Sequence, residues 1–481
     1  MRRMIVSVTL LVLAGIPLAA GAQEPPPTTG FEDSNGASWT THQQELDFLA
    51  EVDERSERVE IDVIGETRLE RPLHLVRIGH PLPRGLEAAQ SEPTSMFVCT
   101  QHGNEPAGRE ACLKLIRDLA FTEDPTLIEW MSTQTLLLVP TANPDGRANN
   151  SRGNSRGTDI NRDHMALATE EGQTMAAVVR DWTPDLSMDW HEYGPGTPVL
   201  YDDEILYLWP RNLNVESDIH RLARSFALDH LEPCAEAGGY SADEYGLDKV
   251  SDIYTVRQTA GNEDEGIMRN AMGLRHSLGI LIESAVTANP TNNAGEEVAS
   301  GAANNRRRVD SQRHVMDCSI EWMIENGDEV MAATTTAPLR KEGEGFSQNV
   351  PVYFGGADND PPEGTEAIYP PQACAYLLSA AEFQTVANTL ALHGIVAYVE
   401  EDGTYRVPMG QPAEPLIPLL LDARGTRKIL SATRLDAPPL DRRCTHPLEE
   451  TAGSAASEAS VPFALIGGLV LAGAARRFRE G

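Results

Sequence analysis

Three short runs, Met96-Phe97-Val98, TLLLV at 135–139 and LGILI at 278–282, are apolar without alternation. A strand with one face in water alternates apolar and polar side chains. A run without alternation is covered on both faces. Such strands belong inside a parallel sheet, whose neighbours must be joined by long crossovers, usually helices. Helical spacing fills the intervals. THQQELDFLAEVDE carries Leu46, Leu49 and Val52 on one face. EPAGREACLKLIRDLA carries Cys112, Leu115, Ile116 and Leu119, with Pro106 early, where proline is tolerated. RVEIDVIGE and LHLVRIG alternate and predict a hairpin. The sum is an α/β fold: a mixed, mostly parallel twisted β-sheet with helices on both faces, over residues 39–330.

The helix SIEWMIEN reads as the close of that domain, and TTTAPLRKEGEG as a linker. A smaller α/β unit is expected over 351–439, with ACAYLLS and IVAYVE as strands and AAEFQTVANTLALH as a helix stopped by Gly394. Both ends read as targeting segments. Residues 1–22 have the order of an export signal: Arg2 and Arg3, an apolar stretch from Met4, then Ala20-Gly21-Ala22 as a cleavage site. A small-residue linker over 445–460 leads to residues 461–481, apolar to Ala475 and ending in Arg476, Arg477 and Arg479. That run is short of the roughly 20 residues a spanning helix needs. Its basic end still suits membrane contact or sorting, with the body exported. Export leaves the six cysteines open to pairing in any of fifteen ways. The formal net charge of -33 excludes nucleic acid as a natural partner, since phosphates demand clustered lysine and arginine.

Chemistry gathers where strands hand over to helices. In CTQHGNEPAGRE, His102 and Glu105 follow an apolar strand directly. A glutamate there suits a helix start, but the pair also offers two ligands to a metal. A third ligand must converge from elsewhere, and DLSMDWHEYG supplies His191 at another strand end. NPDGRANNSRGNSRGTDINRD, at 143–163, follows TLLLV, and Glu283 ends LGILIE.

Taken in order, His-x-x-Glu, Asn-Pro-Asp-Gly, Asp-x-Asn-Arg, a strand-end histidine and a strand-end glutamate resemble the zinc carboxypeptidase family, of which carboxypeptidase A is the type member. The resemblance covers roughly residues 39–318. It implies one zinc ion held by His102, Glu105 and His191, with Glu283 as general base. It implies that Arg152 polarises the scissile carbonyl, Arg147 and Arg156 being alternatives in the same loop. Asn161 and Arg162 would bind the substrate's terminal carboxylate, and Asp159 would fix the ring of His102. Asp189 and Glu192, beside His191, read as local structure. Where carboxypeptidase A has an arginine between its first two ligands, this chain has Gly103 and Asn104. A substrate-capping tyrosine is sought among Tyr240, Tyr245 and Tyr254. The acidic run Glu263-Asp264-Glu265 lies in the segment that should line the specificity pocket, where it could favour basic side chains.

The implied activity is hydrolysis of the C-terminal bond of peptide substrates. Two rivals stand beside it: a zinc amidase acting on cell-wall peptides or small N-acyl amino acids, and an inactive peptide-binding module on the same fold.

Overall fold

The computed structural model describes residues 24–194, 201, 203–246, 248–250, 253–255, 262–287, 301–360, 367–368, 372–436 and 444. The export signal, the linker and the apolar tail lie outside the described residues. Among the described residues no helix is long and apolar enough to cross a membrane.

The main sheet is built from β1 Val59–Glu66, β2 Pro72–Ile78, β3 Thr94–Cys99, β4 Thr135–Val139, β5 Leu186–Tyr193, β6 Ile205–Leu208, β7 Ala242–Glu244 and β10 Leu278–Ala285. Their order is β1-β2-β4-β3-β5-β10-β6-β7. The central four, β4, β3, β5 and β10, are mutually parallel. β1 and β2 form the expected antiparallel hairpin, and β6 runs antiparallel to β10. The apolar runs are these central strands: every residue of β3 and β4 is buried. β8 Asp248–Val250 and β9 Ile253–Thr255 pair only with each other.

From β3 the chain crosses by two helices, Ala107–Ala120 and Pro125–Thr133, to β4 on one side. From β4 it crosses by helix Glu170–Trp182 to β5 on the other side of β3. Crossovers that leave in opposite directions open a crevice at the carboxyl ends of the strands. His102, His191 and Glu283 all fall at that edge, with His191 and Glu283 directly paired across β5 and β10.

Two expectations need correction. The segment read as a helix end plus a linker is one continuous helix, Gly301–Ser347, which runs through Pro338. Proline and glycine oppose a helix locally, and tertiary contacts override them here. Arg340 reaches Glu216 at 3.1 Å and Asp218 at 2.7 Å. A Cβ on Gly345 would stand 2.2 Å from the Met409 carbonyl oxygen, so glycine lets two backbones touch. The stretch IVAYVE yields only a two-residue strand, β14 Tyr398–Val399.

β14 joins β13 Ala375–Leu378, β15 Tyr405–Pro408 and β16 Thr433–Leu435 in a second sheet, ordered β14-β15-β13-β16. β11 Val352–Tyr353 pairs with β12 Ala367–Ile368. The small sheet shares one compact unit with the large one. Leu392 packs on Leu167 and Ala176, and His393 Nε2 lies 2.8 Å from the Met165 carbonyl. Disulfides join Cys234 to Cys318 and Cys374 to Cys444, while Cys99 and Cys112 are free and buried.

Candidate active site

β3 ends at Cys99, and the chain turns through Thr100, whose φ is 57°, toward the helix that starts at Ala107. Helix Pro144–Asn149 presses on this turn: a Cβ on Gly103 would stand 1.9 Å from the Gly146 carbonyl carbon. Glycine between the two ligand candidates is therefore a packing requirement. Asn143 caps that helix by accepting from Gly146 N at 2.8 Å. Its amide also donates to the carbonyls of Gln101, at 3.0 Å, and Arg152, at 3.3 Å. The Asn-Pro-Asp-Gly motif thus ties the His102 turn to the Arg152 loop.

His102, Glu105 and His191 are buried and converge. His102 Nδ1 lies 2.9 and 3.0 Å from the Glu105 carboxylate oxygens. His191 Nδ1 lies 2.8 Å from Glu105 Oε2 and 3.0 Å from His102 Nδ1. Two imidazole nitrogens and a carboxylate aimed at one point are the donor set of a catalytic zinc site, which keeps one position open. The far nitrogens are answered too: His102 Nε2 is 3.0 Å from Asp159 Oδ1, and His191 Nε2 is 2.8 Å from Asp189 Oδ1. A carboxylate on the outer nitrogen fixes the tautomer that presents Nδ1 inward.

Electrostatics agree with that fit. Burial opposes charge on His191, yet Asp189 and Glu105 hold its pKa well above the usual range. Burial likewise raises Glu105, but His102 and His191 outweigh it and bring the carboxyl to about 2. The meeting point of the three ligand atoms therefore favours positive charge. Two other histidine–cysteine groupings exist among the described residues, around His314 and His230, but both need Cys234, which is consumed in a disulfide.

Asp189 is the residue that sequence reading undervalued. It is fully buried and accepts from Gln101 Nε2 at 2.6 Å and Asn161 Nδ2 at 2.9 Å. Burial pushes its carboxyl up, and His191 and Gln101 hold it below its usual value. Its place two residues before His191 on one strand puts both on the same face, which is a signal legible in sequence. Glu192 points away from the ligands. It accepts from Ala107 N at 2.9 Å and pairs with Arg308 at 2.6 Å.

Arg152 stands beside the ligands, with Nη1 3.2 Å from His102 Nδ1 and Nη2 2.9 Å from Asp159. Arg147 is turned to the Gly103 carbonyl and Arg156 to Glu170, so neither takes that place. Arg162 faces the same cleft, its Nη1 donating to the Asn161 carbonyl at 2.6 Å. Asn161 lines the cleft as well; its Nδ2 donates to Asp189 at 2.9 Å and its Oδ1 accepts from Met268 N at 2.8 Å. Glu283, Tyr245 and Arg269 complete a cleft of about 410 Å³. Tyr240 instead packs near His314, and the Tyr254 side chain lies outside the described residues.

The family model described as "Zinc carboxypeptidase", Peptidase_M14, matches residues 45–262. Carboxypeptidase 2 of Trichophyton tonsurans is 30% identical over 191 residues, which cover 38% of this chain and 35% of that protein. Carboxypeptidase 2 of Trichophyton rubrum is 32% identical over 192 residues, with coverage of 38% and 35%. The chain thus spans about a third of the length of the curated relatives it matches. Among solved structures, the metallo-carboxypeptidase from Pseudomonas aeruginosa in complex with (2-guanidinoethylmercapto)succinic acid is 20% identical, with a TM-score of 0.43 over 59% of this chain and 69% of that one. Arg269 and Glu283 lie beyond the matched residues and line the same cleft. Residues 45–262, which carry the His-x-x-Glu, Asn-Pro-Asp-Gly and Asp-x-Asn-Arg motifs and the strand-end His191, are thus similar to the zinc carboxypeptidases.

Proposed function

We propose that the chain is a zinc metallocarboxypeptidase that removes residues from the C-termini of peptides. The observation that carries the reading is one cleft lined by His102, Glu105 and His191 together with Glu283, Arg152 and Arg162. Zinc held by the first three would supply a Lewis acid and a water acidic enough to attack at neutral pH.

The chain's own groups do the rest. Glu283 accepts the proton of the attacking water and returns it to the departing amine. Burial pushes its carboxyl up to about 8, with His191 pulling down and Glu105 pushing up. A cation at the ligand triad draws it back toward the ionised form a base needs. Arg152, beside His102 and Glu105, faces the carbonyl oxygen as it becomes an oxyanion. Arg162 pairs with the substrate's terminal carboxylate through its planar fork. Asn161 keeps Asp189, and through it His191, in place.

The two disulfides suit an oxidising compartment, which supports the export reading. A peptide mixture incubated with and without chelator, then read by mass spectrometry, tests the proposal. Products shortened by single residues from the C-terminus, and absent with chelator, are expected. Internal cleavage or loss of N-acyl groups would favour an amidase.

A further inference from the structure

A second cavity, of about 400 Å³, lies at the opposite edge of the large sheet. Asp185 and Ser277 line it, the residues just before β5 and β10, six positions back along the same strands from His191 and Glu283. At about 3.3 Å per residue, that is roughly 20 Å from the catalytic cleft. Leu274, Met331, Pro338, Leu392 and Leu416 give it apolar wall, drawn from the large-sheet and small-sheet regions alike. A cavity of this size between two packed regions is a usual place for a small molecule.

The charged groups on its wall are answered within the protein, with one exception. Glu92 meets Arg84 at 2.9 Å, and Arg180 meets Asp181 at 2.7 Å. Asp185 accepts from Thr94 N at 2.8 Å and from Thr334 Oγ1. Arg275, just after helix Met268–Leu274, has no carboxylate partner among the described residues. Its Nη2 donates to His393 Nδ1 at 2.7 Å, and its buried Nε has no hydrogen-bond partner among the described residues. Burial pulls the guanidinium down to about 10, which leaves it cationic at neutral pH. A cation held out of water without a counter-charge is costly, so this one calls for an anion.

The next residue offers an acceptor. His276 Nε2 donates to the Pro412 carbonyl at 2.8 Å, and burial pulls the ring down to about 4, so it is neutral and its Nδ1 keeps a lone pair. That buried atom also has no partner among the described residues. The φ of His276 is 68°, a conformation uncommon for any residue but glycine, so the turn holds its histidine at a cost. A cation and an acceptor on successive residues of an apolar cavity complement a carboxylate, a neighbouring N–H and an apolar body. We propose that this cavity binds a free α-amino acid with an apolar side chain, its carboxylate on Arg275 and its amino group on His276. The proposed hydrolysis releases molecules of this class, but the binding does not depend on that reading.

The test is titration calorimetry of the zinc-loaded protein with L-leucine, leucinamide and 4-methylpentanoate. Leucine should bind at least about tenfold more tightly than leucinamide, which lacks the carboxylate, the worth of one charge-assisted hydrogen bond. It should also bind several-fold more tightly than 4-methylpentanoate, which lacks the amino group. Arg275→Gln should lose that tenfold in a protein whose cooperative melting shows it folded, and Arg275→Lys should recover part of it. Arg162→Ala, in the catalytic cleft, should leave leucine affinity unchanged. Absence of saturable leucine binding would overturn the proposal without any variant being made. Affinity for leucinamide or 4-methylpentanoate equal to that for leucine would do the same. Loss of leucine binding in Arg162→Ala, with retention in Arg275→Gln, would place leucine in the catalytic cleft and overturn the proposal as well.

Discussion

The large sheet ends at its carboxyl edge in His102, His191 and Glu283, whereas the small sheet β14-β15-β13-β16 ends in structural pairs. Its strand β13 begins beside the Cys374–Cys444 bridge, and Tyr376 on that strand donates to Asp422 at 2.9 Å. Both sheets have apolar cores, so burial does not distinguish them. Connection does. Parallel strands joined by crossovers leave a crevice at their ends, and short antiparallel strands leave none. The small sheet reaches the site at second hand, through the turn that carries Thr426 and Arg427. These residues hold Asp264 and Glu265, in the turn that leads into helix Met268–Leu274. One region places the reacting groups, and the other steadies the loop that frames them.

Variants should rank by that division. The largest effect belongs to Glu283→Gln on the large sheet: turnover should fall by about 10²–10⁴, the worth of a general base, with zinc content unchanged. Metal analysis beside the kinetics checks both halves. Loss of zinc from this variant would make Glu283 a ligand and redraw the site.

The carboxylates behind the ligand histidines come next. Asp189→Asn and Asp159→Asn should each weaken zinc binding, by roughly 10–100-fold as such partners usually do. Asp189 should matter more, since it is fully buried and takes three partners, whereas the Asp159 side chain is 27% exposed. Competition against a chelator of known affinity measures both. A greater loss for Asp159 would show that the loop, rather than the strand, sets the metal site.

The smallest effect comes from the small sheet. Arg427→Ala should raise KM about two- to fivefold and leave zinc content and stability nearly untouched, since the Arg427 side chain is 38% exposed and its ion pair with Asp264 is screened by solvent. A loss of zinc from this variant would erase the distinction between the two regions.

The same contrast marks what the sequence disclosed. Central strands are buried on both faces and therefore read as unbroken apolar runs, and their end residues stand out as charge after apolarity. That made His102, Glu105 and Glu283 visible, whereas His191, on a strand with Ser187 and Asp189 among its apolar residues, gained weight only beside the other motifs. Asp189 was visible in principle through strand alternation. Other features depend on contacts between residues far apart in sequence. The continuity of helix Gly301–Ser347 depends on Arg340 and Gly345 finding partners in other elements. Asn161 is turned inward by Asp189 and the Met268 amide, which no local pattern announces.

The central claim is that this cleft works on a peptide's free end by means of zinc and Arg162. Paired kinetics on one peptide as free acid and as C-terminal amide, with zinc-loaded and zinc-stripped protein, test it most directly. The account predicts release of the last residue from the acid, at least about tenfold slower action on the amide, and no turnover without zinc. Equal rates on acid and amide, or undiminished turnover after zinc is removed, would contradict it.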